Sequence, residues 1–379
     1  MNVPFRHSRE SGNPDRGRAR SGGRSDSRVR GNDGRKKKSR LRPALRWLHA
    51  TLGLFAALYL LMAAATGTLL IFKSEILALA HPELGALPAD TIARAQRLSA
   101  SLEPGSFTSI KFPDDTLGAF IVYLPDHRTA LYDPASLAPL DDRFGLNRAM
   151  DWLFELHHYM LAGETGKLVS GAFGLAIAGL VLIGLYLWWP WRRGWRLSNA
   201  RAKRPTRASY LAAHTTLGIL MAPALFLAAL SGGAIVFHEQ ASALLTGLLG
   251  KKDPAVETPA AAGPLATLAR TQFPDAAPRL YIPAAKPGDA VTLRLRQPEE
   301  RHPNGRSTFS WDPATATATA ATSEPESGAG NRLYNLLYPL HTGVLGGLPM
   351  RLAFLVSGLI ALFAASHGLR SWFAKRRRR

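Results

Sequence analysis

Apolar residues run in four long blocks along the chain. From Leu52 to Phe72 no charged residue occurs, and Leu211 to Phe237 has none either. Leu168–Trp189 also has none, and Leu352–Ala374 has only Arg370. A helix needs ~20 apolar residues to cross a bilayer core, so the pattern predicts four membrane helices. The expected division is a polar tail over 1–42, a first membrane helix over 43–72 and an insert over 73–155. A juxtamembrane segment with the second helix follows over 156–189, then a basic loop over 190–209, the third helix over 210–237 and an insert over 238–339. A juxtamembrane segment with the fourth helix covers 340–374, before a basic tail over 375–379. Pro223 marks a kink within the third helix.

The blocks repeat. Residues 46–72 align without a gap on 211–237, with ten identities in 27 positions, among them His49 on His214, Gly53 on Gly218 and Gly67 on Gly232. Residues 156–193 align on 340–377, with His157 on His341, Gly184 on Gly368 and Trp188 on Trp372. Apolar helices match by composition, but hardly with His, Gly and Trp in register. The expected fold class is therefore a mainly α membrane protein, whose four transmembrane helices form two duplicated hairpin units, each with a small α+β insert.

Inside the inserts the period changes from helix to strand. In the first, Thr91–Leu102 reads as a helix, followed by strand-like runs at 107–112, 119–124 and 129–134 with turn residues between them. Leu146–Leu161 is an amphipathic helix approaching the membrane. The second insert has the same order, with a helix at Pro264–Phe273 and strands at 279–283, 290–297 and 307–313. The Ala/Thr/Ser/Gly-rich stretch 314–330 reads as a linker. Gly171, Gly174 and Ala178 form a small-residue face on the second membrane helix, suited to close helix packing.

Charge changes the picture less than its size suggests. The net charge of +20 could mark a nucleic-acid binder, but 14 of the 47 Lys and Arg lie in residues 1–44, seven in 190–210 and six from Arg370 onward. The inserts are neutral to acidic. Basic residues in short flanks mark the cytoplasmic side. Both termini and the middle loop are expected inside and both inserts outside, with lipid as the partner and no nucleic acid. Residues 1–40 are too polar to bury a core and are expected to be a disordered tail. Trp188, Trp189 and Trp191 suit an interfacial belt. The absence of cysteine excludes thiolate metal sites, iron–sulfur clusters and disulfides.

The candidate chemistry lies in the histidines. His49 and His214 are repeat-related and fall near the inner ends of their helices; His157 and His341 are related by the other repeat and fall at the outer ends. Two histidines at one depth on facing helices are what a bis-histidine haem b requires. Gly53 and Gly218, one turn along from His49 and His214, would leave room for a porphyrin. Helix-end histidines also serve as interfacial anchors, and that alternative stays open. His158 and His367 are further candidate ligands; Arg46, Lys167 and Arg351 are candidate propionate partners. His81, His127 and His302 sit beside turn residues and are expected to be solvated.

These residues carry a family resemblance. RWLHATLGL with TGTLLIF, LHHYMLAGETG with GLYLWWPWRR, AHTTLGI with SGG, and PLHTGVLGG occur in this order. Over roughly 41–379 the chain resembles the PepSY-associated transmembrane family. The resemblance implies two PepSY-like periplasmic modules in a bacterial inner (cytoplasmic) membrane, multi-pass, with both termini cytoplasmic. Some members resemble di-haem ferric-siderophore reductases. That likeness carries His49, His157, His214 and His341 over as ligands of two haem b groups. It implies a cytoplasmic electron donor from elsewhere and a periplasmic ferric chelate as acceptor, with catalytic residues unknown. The rival class is a regulatory membrane protein whose PepSY modules bind peptides or proteases, without redox activity.

Overall fold

The computed structural model describes residues 40–376 apart from 260 and 287; the expected tail over 1–39 and the last basic residues, 377–379, lie outside the described residues. The chain forms α1 (Leu41–Leu70), α2 (Lys73–Ala80), α3 (Thr91–Ser101), β1 (Ser109–Lys111), β2 (Phe120–Tyr123) and β3 (Thr129–Tyr132). It continues with α4 (Leu146–Tyr159), α5 (Gly163–Trp188), α6 (Arg207–Val236), α7 (His238–Leu249) and α8 (Leu265–Gln272). Then come β4 (Ala277–Ile282), β5 (Val291–Arg296), β6 (Ser307–Asp312), β7 (Thr317–Thr322), α9 (Ala329–Asn335), α10 (Leu337–His341) and α11 (Gly347–Arg376).

α1, α5, α6 and α11 are each long and apolar enough to cross a membrane. They pack as a four-helix bundle in which each contacts the next and α11 closes on α1. The bundle turns large apolar side chains outward, including Phe55, Leu58, Leu182, Leu220 and Phe363. Such a surface suits lipid rather than water. Small residues set the closest approach. A Cβ on Gly171 of α5 would lie 2.6 Å from Val236 Cγ1 of α6, and one on Gly174 would lie 3.0 Å from the Ala229 carbonyl. The Gly171–Gly174–Ala178 face of α5 therefore packs as the sequence pattern suggested. α6 starts at a Thr206 cap, whose side chain accepts from the Ser209 amide, and it runs through Pro223.

The two ends of the bundle are pinned by arginines. At one end, Arg42 of α1 donates to the Leu187 carbonyl of α5 at 2.8 Å. At the other, Arg351 of α11 pairs with Glu75 of α2 at 2.5 Å, donates to the Ile71 carbonyl and lies over the Phe72 ring. This second end carries the sheet.

The inserts differ from expectation in one main respect. They do not form two separate modules. Their strands join in one seven-stranded sheet of order β3-β2-β1-β4-β5-β6-β7. The join is an antiparallel pairing of β1 with β4, Ile110 opposite Tyr281 and Lys111 opposite Leu280. Ile110, Phe112, Phe120 and Val122 of the first insert share one core with Tyr281, Leu293, Leu295 and Phe309 of the second, under α3 and α8. The physical reason is edge satisfaction. Each insert alone would leave its first strand with unpaired amides and carbonyls, and pairing β1 with β4 removes both edges.

The stretch read as a linker over 314–330 contains β7 and the start of α9. Thr317, Thr319 and Thr322 favour strand, and Ala318 and Ala321 face the core at 5% and 1% exposure. Small side chains hid this strand from a hydrophobicity count. α2 and α7 were likewise not anticipated; each extends a membrane helix past a one- or two-residue break.

On its other face the first half of the sheet rests on α2 and α4, with Leu77 and Met150 against Leu117, Ile121 and Leu131. Asp151 of α4 clamps this contact. It accepts from the Thr129 amide at 2.8 Å and from its hydroxyl, and pairs with Lys73 at 2.9 Å. α4 carries His157, so the sheet fixes one candidate residue directly.

Candidate functional site

The structure brings the four repeat-matched histidines together as two pairs. His49 of α1 and His214 of α6 stand with ring centroids 6.2 Å apart at the end of the bundle away from the sheet. His157 of α4 and His341 of α10 stand 6.2 Å apart at the sheet end. From His49 to Gly67, which touches His157, α1 rises ~27 Å, so the pairs sit at opposite ends of the bundle.

Each imidazole rests against a glycine of another helix. His214 Nδ1 donates to the Ala364 carbonyl at 2.8 Å, and a Cβ on Gly368 would come within 3.1 Å of that nitrogen. His341 Nδ1 donates to the Ala228 carbonyl at 2.9 Å, and a Cβ on Gly232 would come within 2.7 Å of His341 Cε1. His157 meets Thr66 Oγ1 at 2.9 Å, with Gly67 beside it at 3.0 Å. Because Thr66 donates its own proton to the Met62 carbonyl, it accepts from His157 Nδ1. His49 faces the Leu180 carbonyl without reaching hydrogen-bond geometry, and Gly184 lies against its Cε1 at 3.2 Å.

The spacing has a helical cause. Leu180 and Gly184, and Ala364 and Gly368, are four residues apart, as are Ala228 and Gly232. A helical carbonyl i is already bonded to the amide of i+4. Without a Cβ at i+4, an imidazole from another helix reaches the same carbonyl and shares it. The sequence alignment had flagged these four glycines only as identities. A Cβ at Gly53 or Gly218, the glycines read as leaving room for a porphyrin, would meet nothing within 4 Å, so both border open space.

With Nδ1 acting as a donor, His157, His214 and His341 keep their lone pairs on Nε2. Two such rings in a pair form a neutral, soft-to-borderline donor set. Among the described residues there is no cluster of three or more His, Asp or Glu able to hold a metal ion.

The remaining candidates fall outside the pairs. His158 contacts Phe154 and Tyr159, and His367 stacks on Tyr210 at 5.9 Å. Arg46 is exposed, and Lys167 pairs with Glu164 on its own helix. Arg351 is engaged by Glu75 and the Ile71 carbonyl. His127 is partly open, as expected, and stacks on Tyr159. His81 and His302 correct the expectation of solvation, for each is only 4% exposed. Local turn residues did not reveal that the chain folds back over them. Burial, then the charges of Arg306, Arg294 and Arg296, holds the His302 pKa down to about 3. Asp114 is held below the ordinary carboxylate range, because Lys111 and backbone amides outweigh its desolvation.

Residues 46–375 match the family described as the PepSY-associated TM region. The chain belongs to that family. The match spans both histidine pairs and the whole shared sheet, so this PepSY-associated chain is a multi-pass membrane protein with four spanning helices. No curated protein matches the chain.

Proposed function

We propose that this chain is a haem b protein of the bacterial inner membrane, which moves electrons from a cytoplasmic donor to a periplasmic ferric chelate. The observation that carries the reading is the twofold pairing of imidazoles 6.2 Å apart, one pair at each end of the bundle. Metal–imidazole bonds of ~2 Å on either side of one iron set the two ring centres about 6 Å apart. The donor set fits in a second way. Haem-ligating histidines use Nδ1–H on a carbonyl or similar acceptor to fix the ring and raise the basicity of Nε2, and His157, His214 and His341 have such partners. The open space over Gly53 and Gly218, one turn from His49 and His214, favours a flat group there.

In this reading His49 and His214 hold one haem, and His157 and His341 hold the other. The haems supply one-electron transfer. The chain's own part is positional. Glycines at four helix positions let the imidazoles approach, the Ala364 and Ala228 carbonyls and the Thr66 hydroxyl orient three of them, and the apolar bundle keeps water out of the path. The basic flanks, with Trp189 under Arg192, favour the inside placement of the end away from the sheet, and the sheet then faces outward.

The test is a reduced-minus-oxidised absorption spectrum of the detergent-purified protein, with haem quantified per chain. The expected result is sharp b-type bands and close to two haems per chain, falling to about one in His214→Ala. A haem-free protein after expression with adequate haem supply would overturn the reading.

A further inference from the structure

The two halves of the sheet offer different chemistry to the helices beneath. The registers place Leu131, Ile121, Lys111, Leu280, Arg294 and Thr308 in one row on the face opposite the core. On the first half this face is apolar and packs on α2 and α4. On the second half it is cationic. In β5 the core residues Val291, Leu293 and Leu295 alternate with Thr292, Arg294 and Arg296.

Arg306 and His302 close over this face from the β5–β6 connection. Arg294, Arg296 and Arg306 all act on His302, and Arg279 of β4 acts on Arg296. Few of these charges are answered. Arg296 Nε donates to the Glu300 carbonyl, and Arg306 bonds His302 Nε2. The Nε atoms of Arg279 and Arg306 are buried without a partner. Among the described residues no carboxylate forms an ion pair with any of the four guanidinium groups.

The nearby carboxylates act on the cluster only through space, Glu300 on Arg294 and Arg306 and Glu324 on Arg306, while their hydrogen bonds go to other groups. Glu300 accepts from the Ser307 amide and hydroxyl and from the Arg306 and Gln297 amides. Glu324 accepts from Asn335. Asp114 and Asp115 reach Arg279 only at longer range, and Asp114 is bound to Lys111. Four cations drawn together and half out of water repel one another, unless an anion joins them. Guanidinium groups suit planar oxygen anions, which they bind through two parallel N–H bonds.

The place of the cluster gives the anion a use. His302 stacks on Tyr338 of α10 at 5.1 Å, and Tyr338 is 38% exposed although its partner is buried. His341 follows three residues later on the same helix, ~4.5 Å along its axis.

We propose that the recess formed by Arg279, Arg294, Arg296, Arg306, His302 and Tyr338 binds an anionic, oxygen-rich ferric chelate beside the outer histidine pair. This rests on the reductase reading for its purpose, but binding itself is separable from haem. Carboxylate or catecholate oxygens of the chelate lie against the arginines, and Tyr338 forms the floor on the His341 side.

The experiment uses the full chain in detergent, with ferric citrate as the anionic probe and an uncharged ferric trihydroxamate as the comparison, measured by equilibrium dialysis. Ferric citrate binding is expected to weaken by about tenfold or more in R294Q/R306Q and to recover in part in R294K/R306K. It should persist in His341→Ala, which removes the outer haem ligand. Arg279→Gln, at the edge of the cluster, supplies a milder variant if the double change disturbs folding. Unchanged ferric citrate binding in both Gln variants overturns the proposal. So does equal binding of the uncharged chelate, or loss of ferric citrate only to vesicles of anionic phospholipid, which would make this a headgroup site. Chelate binding in a protein that takes up no haem would retain the recess and remove the reductase reading.

Discussion

His302 shows how one side chain reports its surroundings. It is buried, stacked on Tyr338 and crowded by three arginines, and its pKa is held at about 3. The unfolded chain protonates near 6.5. Between these values the unfolded state binds the extra proton, so the folded state loses stability as pH falls from about 6.5 toward 3. The loss is expected to reach about 3 kcal/mol by pH 4. Unfolding of the wild type and His302→Gln, followed at pH 7 and pH 4, should show a shallower acid loss in the variant. Equal slopes would mean that His302 is solvated in solution. Glu300 faces the opposite way. Its burial raises its pKa, and the amides and hydroxyl around it restore only part of the balance.

At the scale of the helix, the repeated unit is a carbonyl with a glycine four residues later. Its function is steric, because it opens one backbone acceptor to an imidazole from another helix. Gly232 has the least room, with a Cβ contact at 2.7 Å to His341, against 3.0 Å for Gly67 and His157. Gly232→Ala is therefore expected to displace His341 and to cost about 1–3 kcal/mol through overpacking. In haem measurements it should lower the content at the sheet end, whereas Gly67→Ala should do so less. Gly53→Ala meets no atom and is expected to leave the apoprotein's thermal unfolding nearly unchanged. If Gly53 borders a haem, the same change lowers haem uptake, and the two readouts together separate packing from binding.

At the scale of the whole molecule, the shared sheet makes the two inserts one folding unit. Phe309 of β6 is fully buried in the core that also holds Ile110 and Val122. Phe309→Ala should cost about 3–5 kcal/mol. It should also speed hydrogen exchange at Ile110 and Val122, although these lie in the other insert. Exchange changes confined to residues 257–322 would show two independent modules instead.

The sequence by itself determined the four spanning helices, because a run of apolar residues is long enough or it is not, and no distant contact alters that. It also determined which histidines correspond, since repeated His, Gly and Trp keep their register. It located most strands of the inserts from alternation, and missed β7, where alanine and threonine carry little hydrophobic signal. Only the tertiary structure decided that β1 pairs with β4, because a strand edge does not name its partner. Only the structure decided which glycines receive the imidazoles, since Gly53 and Gly67 look alike in the sequence and differ by the face they turn to a neighbour. The arginine recess was half legible. Arg294 and Arg296 alternate with core residues, which places them together on one face. That Arg306, His302 and Tyr338 close over them depends on a loop and a helix brought back by the fold, and local spacing carries no record of it.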